Sequence, residues 1–218
     1  MSSNDKDLGT QVHELLMNLG IETPMLSQAY YSHTQESIAE SIKHIMGMLN
    51  LDLEDDSLKE TPRRVAKMYH KEIFYGLDYA NFPRVMTFEN KMKADEVVCI
   101  KNILVRSVCE HHLVPFIGSC HVGFIPNGKV PGLSKINRIV DFFCRRPQVQ
   151  ERLTEQLAAT LAFVLETEDV AVVIEAEHFC VKLRGIQDPQ SSTSTSKMIG
   201  KFRENPALRA EFFSLIKA

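Results

Sequence analysis

The hydrophobic period of this chain changes near Arg84, and that change restricts the fold more than any single motif does. Before it, apolar residues recur at helical intervals. Leu8, Val12, Leu15, Leu16 and Leu19 form one stripe; Ile38, Ile42, Ile45, Met46 and Leu49 form another, with Thr34 as its expected N-cap. Thr61-Pro62 reads as an N-cap followed by proline in the first helical position, starting a third helix whose face is Val65, Met68, Tyr69 and Glu72, up to Gly76. After Arg84 the pattern becomes β-branched and alternating: Val97 to Ile100, Ile103 to Val108, and Phe116 to Ile125, closed by Pro126-Asn127-Gly128, which predicts an antiparallel hairpin.

A helix capped by Ser134 follows, carrying Ile136, Ile139, Val140 and Phe143, with Pro147 as its end or kink. A longer helix bears Val149, Leu153, Leu157, Leu161 and Val164. Two more strands are expected at Val170 to Glu177 and Phe179 to Ile186, then a Ser/Thr-rich stretch from Ser191 to Ser196. Asn205-Pro206 opens a last helix with Leu208, Phe212, Leu215 and Ile216 on one face. The order strand, strand, helix, helix, strand, strand describes an α+β unit: an antiparallel sheet with both helices on one face. Its other face then needs cover, and self-association is the economical one. The division expected is a helical region over 1–82 and a second unit over 83–218.

With 44% hydrophobic and 24% charged residues the chain has the composition of a globular protein. A net charge of −3 supplies no basic field, which argues against nucleic acid or anionic lipid as partners, so an anionic ligand must be met locally. The five cysteines are odd in number, and Met1 to Asp7 is polar. Both features point to a reducing cytoplasm, and no apolar run is long enough to span a membrane.

The chemistry concentrates in three places. Cys109-Glu110-His111-His112 falls where a strand should turn, and His178-Phe179-Cys180 lies near another strand boundary; extended, it would send His178 and Cys180 to one face. Sulfur with imidazole selects zinc, and three protein ligands leave the fourth position to water, as in a catalytic site. A structural site would instead take a fourth ligand from His111, His121 or Cys120. Cys99, Cys120 and Cys144 otherwise read as packing residues, and His13, His33, His44 and His70 as core or surface histidines. Next, Lys135 and Arg138 sit at the positive end of a helix beside Ser134, an arrangement suited to phosphate, with Arg63, Arg64, Lys67, Lys182 and Arg184 as possible contributors or all of them a solvated basic face. Finally, Glu151 suits either its own helix dipole or the paired N–H donors of a guanine edge.

The chain resembles the GTP cyclohydrolase I family in Cys109-Glu110-His111-His112, in Gly132-Leu133-Ser134-Lys135-Ile136-Asn137-Arg138, in Arg146-Pro147-Gln148-Val149-Gln150-Glu151-Arg152, and in His178-Phe179-Cys180 with Arg184-Gly185. The likeness runs from about Glu60 to the last helix, with the motifs in the family's order; Cys144, where the family commonly has alanine or serine, departs from it. The resemblance implies the tunnelling fold, a decamer of two pentamers, and active sites between subunits. It implies Zn2+ on Cys109, His112 and Cys180, His111 and His178 as catalytic acid–base groups, Glu151 and Gln150 on the guanine edge, and Ser134, Lys135, Arg138, Arg64 and Arg184 on the triphosphate. The implied reaction takes GTP and water to formate and 7,8-dihydroneopterin triphosphate, the entry to folate or tetrahydrobiopterin. The alternatives are a non-catalytic nucleotide-binding module with a structural zinc, or another tunnelling-fold enzyme acting on a purine or pterin.

Overall fold

The structure, a computed structural model, describes residues 4–26 and 34–217. Helix α1, Lys6–Asn18, begins where the Asp5 carboxylate accepts from the Leu8 amide, and it buries Val12 and Leu16. Helix α2, Thr34–Met48, buries Met46 but leaves Ile45 46% and Leu49 65% exposed, so its apolar stripe is only partly covered within one chain. The cap expected at Thr34 and the reading of His33 lie outside the described side chains. Helix α3, Thr61–Lys67, takes Glu60 as its N-cap residue, with no side-chain cap bond; Thr61 is already helical, because Pro62 fills the first turn.

Two sheets follow. Short strands β1, Thr87–Glu89, and β4, Lys129–Pro131, pair antiparallel. The main sheet has the order β5-β2-β3-β6-β7. Strand β2, Val98–Cys109, pairs antiparallel with β3, Pro115–Phe124, across a bulge between Ile100 and Ile103 where Asn102 takes a φ of 59°. Strand β6, Val170–His178, pairs antiparallel with β3 and with β7, Thr193–Ile199. The pair Pro147–Gln148, β5, runs parallel beside Val108 and Cys109.

Helices α4, Leu133–Cys144, and α5, Gln150–Leu165, join the sheet's inner face in one core that includes Ile136, Ile139, Phe143, Leu153, Leu157 and Leu161 against Val105, Phe116, Val122 and Ile174. Burying about ten such side chains at roughly 1.5–3 kcal/mol each supplies most of the drive for this layer. Val12 and Leu16 of α1, with Tyr79 and Phe82, belong to the same core.

Three local expectations are corrected. Ser134 does not cap α4: Gly132 is the N-cap residue and Ser134 lies exposed in the first turn. The segment Phe179–Lys182 is a helical turn, α6, and the chain then turns through left-handed Gly185 and Gln187 before the last strand. That strand is the Ser/Thr-rich stretch. Its threonines are β-branched and pair well at a half-exposed sheet edge, where polar side chains cost nothing. Finally, part of the outer face is covered by the chain itself. Phe202 of α7, Lys201–Glu204, and Phe212 of α8, Pro206–Lys217, pack on Ala171 and Val173. Gly123 permits this, because a Cβ there would stand 2.7 Å from the Phe212 ring. Asn205 caps α8 as its sequence suggests, accepting from the amides of Ala207 and Leu208. Leu104 and Ile117, 51% and 41% exposed, remain bare on the outer face.

Candidate active site and metal centre

Strand β2 ends at Cys109, and the tight connection to β3 holds the next residues in place. The Cys109 amide donates to the Val114 carbonyl at 2.9 Å and the Leu113 amide to the Cys109 carbonyl at 2.9 Å, with Leu113 at a φ of 53°. The turn brings His112 back beside Cys109: its Nδ1 lies 3.9 Å from the Cys109 sulfur. Two further bonds anchor the turn to β5 and α5. The Glu110 amide donates to the Gln148 carbonyl at 3.0 Å, and Arg152 donates twice to the Glu110 carboxylate, at 2.5 and 3.3 Å.

Cys180, in α6, completes a group of three. The ligand atoms of Cys109, His112 and Cys180 all lie within 4.8 Å of one another, and they form the sole such cluster of metal-binding side chains among the described residues. Cys109 is buried, Cys180 half-buried and His112 exposed, so the cluster opens to solvent on one side. Burial, with the Cys109 thiol beside it, pushes the Cys180 thiol up. Two adjacent sulfurs resist joint ionisation, and a divalent cation is what removes that resistance. His111, whose Nδ1 also lies 3.9 Å from the Cys109 sulfur, stands beside this group of three, and His121 and Cys120 are not part of it. Cys120 is wholly buried, and His121 Nδ1 accepts from the Asn102 amide in the β2 bulge. All five cysteines are free thiols.

Around the cluster stand titratable groups in contrasting settings. His111 is 65% exposed, with its Nε2 3.9 Å from Glu110. His178, at the end of β6, stacks on Phe116 at 4.7 Å between ring centroids, and its Nε2 lies 2.8 Å from Gln150 Oε1. Burial holds the His178 imidazole below its usual range, while the Glu151 carboxylate pulls it back up. Glu151 itself is exposed in the first turn of α5. Arg184 donates to His112 Nε2 at 2.9 Å, which sets a guanidinium at the rim.

Not all of the expected residues meet here. Gln150 touches this group only through His178: it is 1% exposed, and its NH2 group is spent on β6 and β7. Ser134, Lys135 and Arg138 lie at the start of α4, whereas the end of α4 leads directly into β5 beside Cys109. Roughly 15 Å of helix separates Ser134 from Cys144. Arg64 is exposed on α3 and shares no bond with the cluster. Sequence reasoning missed the Arg152–Glu110 pair and the Gln150–His178 contact. Arg152 was visible beside Glu151, but its partner lies 42 residues away and only the fold brings them together.

The GTP cyclohydrolase I family model matches residues 38–217. This chain belongs to the GTP cyclohydrolase I family. Its similarity to other members extends almost end to end. It is 54% identical over 202 residues to GTP cyclohydrolase 1 of Vibrio cholerae, covering 92% of this chain and 93% of that protein. It is 53% identical over 207 residues to GTP cyclohydrolase 1 of Photobacterium profundum, covering 94% and 95%, and 51% identical to that of Shewanella baltica, covering 94% and 96%. As a GTP cyclohydrolase I family member the chain carries each quoted motif in an ordered part of the fold, and the metal-binding cluster is built from two of them.

Proposed function

We propose that this protein is a zinc-dependent GTP cyclohydrolase I, which hydrolyses the imidazole ring of GTP, releases formate and forms 7,8-dihydroneopterin triphosphate, the first step toward tetrahydrofolate or tetrahydrobiopterin. The observation that carries this reading is the three-ligand cluster of Cys109, His112 and Cys180, with His111, His178 and Glu151 around it, in a chain of this family. The donor set fits zinc. Tetrahedral ligands on bonds of about 2.0–2.3 Å stand roughly 3.5–3.8 Å apart, close to the 3.9 Å between Cys109 Sγ and His112 Nδ1. A zinc ion held by Cys109, His112 and Cys180 would supply an activated water.

The chain's own residues do the rest. His111, exposed beside the cluster, donates a proton to the guanine ring nitrogen as C8 is attacked. His178 moves protons during ring opening and the later ribose steps. Glu151 accepts two N–H bonds from the guanine edge; adenine, lacking that donor pair, leaves the carboxylate unpaired and is rejected. Ser134, Lys135, Arg138, Arg64 and Arg184 bind the triphosphate.

The roughly 15 Å of helix between Ser134 and the end of α4 beside the metal cluster favours a site shared between chains. A second copy supplying its α4 start to the first chain's cluster completes that site, in agreement with the family's decamer of two pentamers. The bare Leu104–Ile117 patch and the uncovered stripe of α2 offer apolar surface for such contacts. In this reading residues 1–82 are the helical region and 83–218 the tunnelling-fold catalytic unit, with ββααββ as its frame. The decisive assay follows GTP loss and formate release with and without a strong chelator. Turnover that depends on one zinc per chain is expected; full turnover by rigorously metal-free protein would overturn the reading.

A further inference from the structure

A chain of buried hydrogen bonds leads from α5 to His178, and the direction of each bond follows from which groups can only accept. The Thr154 hydroxyl donates to the Gln150 carbonyl at 2.8 Å, since a carbonyl has no proton. Thr154 and Thr195 share a 2.6 Å contact between hydroxyls. Thr154 has already spent its proton, so Thr195 is the donor there and its own oxygen is left to accept. Gln150 Nε2 lies 3.1 Å from that oxygen, 2.9 Å from the Thr193 carbonyl and 3.1 Å from the Ile174 carbonyl. Three acceptors around one side-chain atom identify that atom as the NH2 group. Exchanging the amide's oxygen and nitrogen would aim an oxygen at two carbonyls in a site 1% exposed, leaving buried acceptors unpaired.

The Gln150 oxygen therefore faces His178 Nε2 at 2.8 Å, and an oxygen can only accept. The ring cannot readily turn away, because it is stacked on Phe116 with an interplanar angle of 11°. We infer that Gln150 is a positioning residue: it holds His178 in the Nε2–H tautomer, so that Nδ1 is the nitrogen at which His178 takes up and gives back protons. Gln150 is thereby not a ligand of the guanine edge, and that task rests on Glu151. The inference builds on the proposed catalytic role of His178, but the tautomer itself is measurable whatever the protein turns over. It also explains the polar last strand, since Thr193 and Thr195 of β7 are what orient the amide.

The test uses the full zinc-loaded protein with 15N-labelled histidine, at mildly alkaline pH where the ring is neutral. Solid-state nitrogen NMR reads the protonation of each ring nitrogen, and the spectrum of His178→Gln identifies the His178 signals. Protonated Nε2 with bare Nδ1 is expected. The opposite tautomer overturns the inference even if GTP turnover is intact, and absent GTP turnover leaves the tautomer result standing on its own. In Gln150→Met, kcat falls about 10- to 100-fold, the scale for an orienting partner, with zinc content kept and KM for GTP little changed. A raised KM at unchanged kcat would make Gln150 a substrate ligand, and stoichiometric zinc loss would make it a structural prop; either result overturns the assignment. If the variant fails to fold, the tautomer measurement on the unmodified chain still decides.

Discussion

His111 and His178 carry the same side chain into opposite surroundings, and their substitutions should separate along that line. His111 is mostly exposed, while His178 is stacked, hydrogen-bonded and depressed in basicity by burial. Alanine at either position should lower turnover of GTP about 100-fold or more while zinc, measured by atomic emission, stays at one per chain. Cys180→Ser should lose zinc stoichiometrically, because a serine hydroxyl is a poor soft ligand. Glu151→Ala should spare zinc yet narrow the preference for GTP over ATP; unchanged discrimination would remove Glu151 from the guanine edge. The side chains that form the cluster were legible from Cys109-Glu110-His111-His112 and His178-Phe179-Cys180 because the motifs are short and local. The surroundings of Gln150 were not legible for the same reason. Adjacent to Glu151 in sequence, it points the other way around the helix start, into the sheet.

At the level of elements, a buried ion pair ties the N-terminal loop to the end of α4. Arg146, with no exposed surface, donates to Glu22 at 3.2 Å and to the Tyr79 hydroxyl at 3.2 Å, and Tyr79 donates to Glu22 at 2.5 Å. Its guanidinium packs against the Tyr79, Phe142 and Phe143 rings and also donates to the Gly76 carbonyl. Removing one partner leaves the other as an uncompensated buried charge. Glu22→Ala should therefore cost about 3–5 kcal/mol in chemical denaturation, and Glu22→Ala with Arg146→Met should cost less than the sum of the two single changes.

Strand β3 carries a second, pH-linked test. Burial holds His121 below its usual 6.5, with Glu175 raising it and Lys101 lowering it. The unfolded chain then binds the proton more readily than the folded one. This contribution is fully present above pH 6.5 and is lost as the pH falls toward the lower folded-state value. The melting temperature should drop over that interval, and His121→Gln should make the drop shallower. Helix periodicity made α1, α4, α5 and α8 legible, whereas β7 was not, because Thr-Ser-Thr-Ser reads as a loop until β6 provides an edge to pair with.

For the whole molecule the separation along α4 makes a sharp demand. If the phosphate cations of one copy serve the metal cluster of another, a variant lacking Lys135 and Arg138 and a variant lacking Cys180 should each be inactive alone and regain GTP turnover when co-expressed. Mixed assemblies then contain intact sites built from two chains, and no recovery would place the whole site within one chain. The sequence by itself determined the class of structure, the family and which sulfur and imidazole side chains were candidates for a metal site, since periodicity and short motifs are properties of neighbouring residues. Only the tertiary structure decided which residues meet across long separations: Cys180 with Cys109, Arg152 with Glu110, Gln150 with His178 and Arg146 with Glu22. It also put roughly 15 Å of helix between Ser134 and the end of α4 that leads to β5 beside Cys109. The physical reason is that pairing and burial depend on how strands register and helices pack, which nearest-neighbour chemistry does not encode.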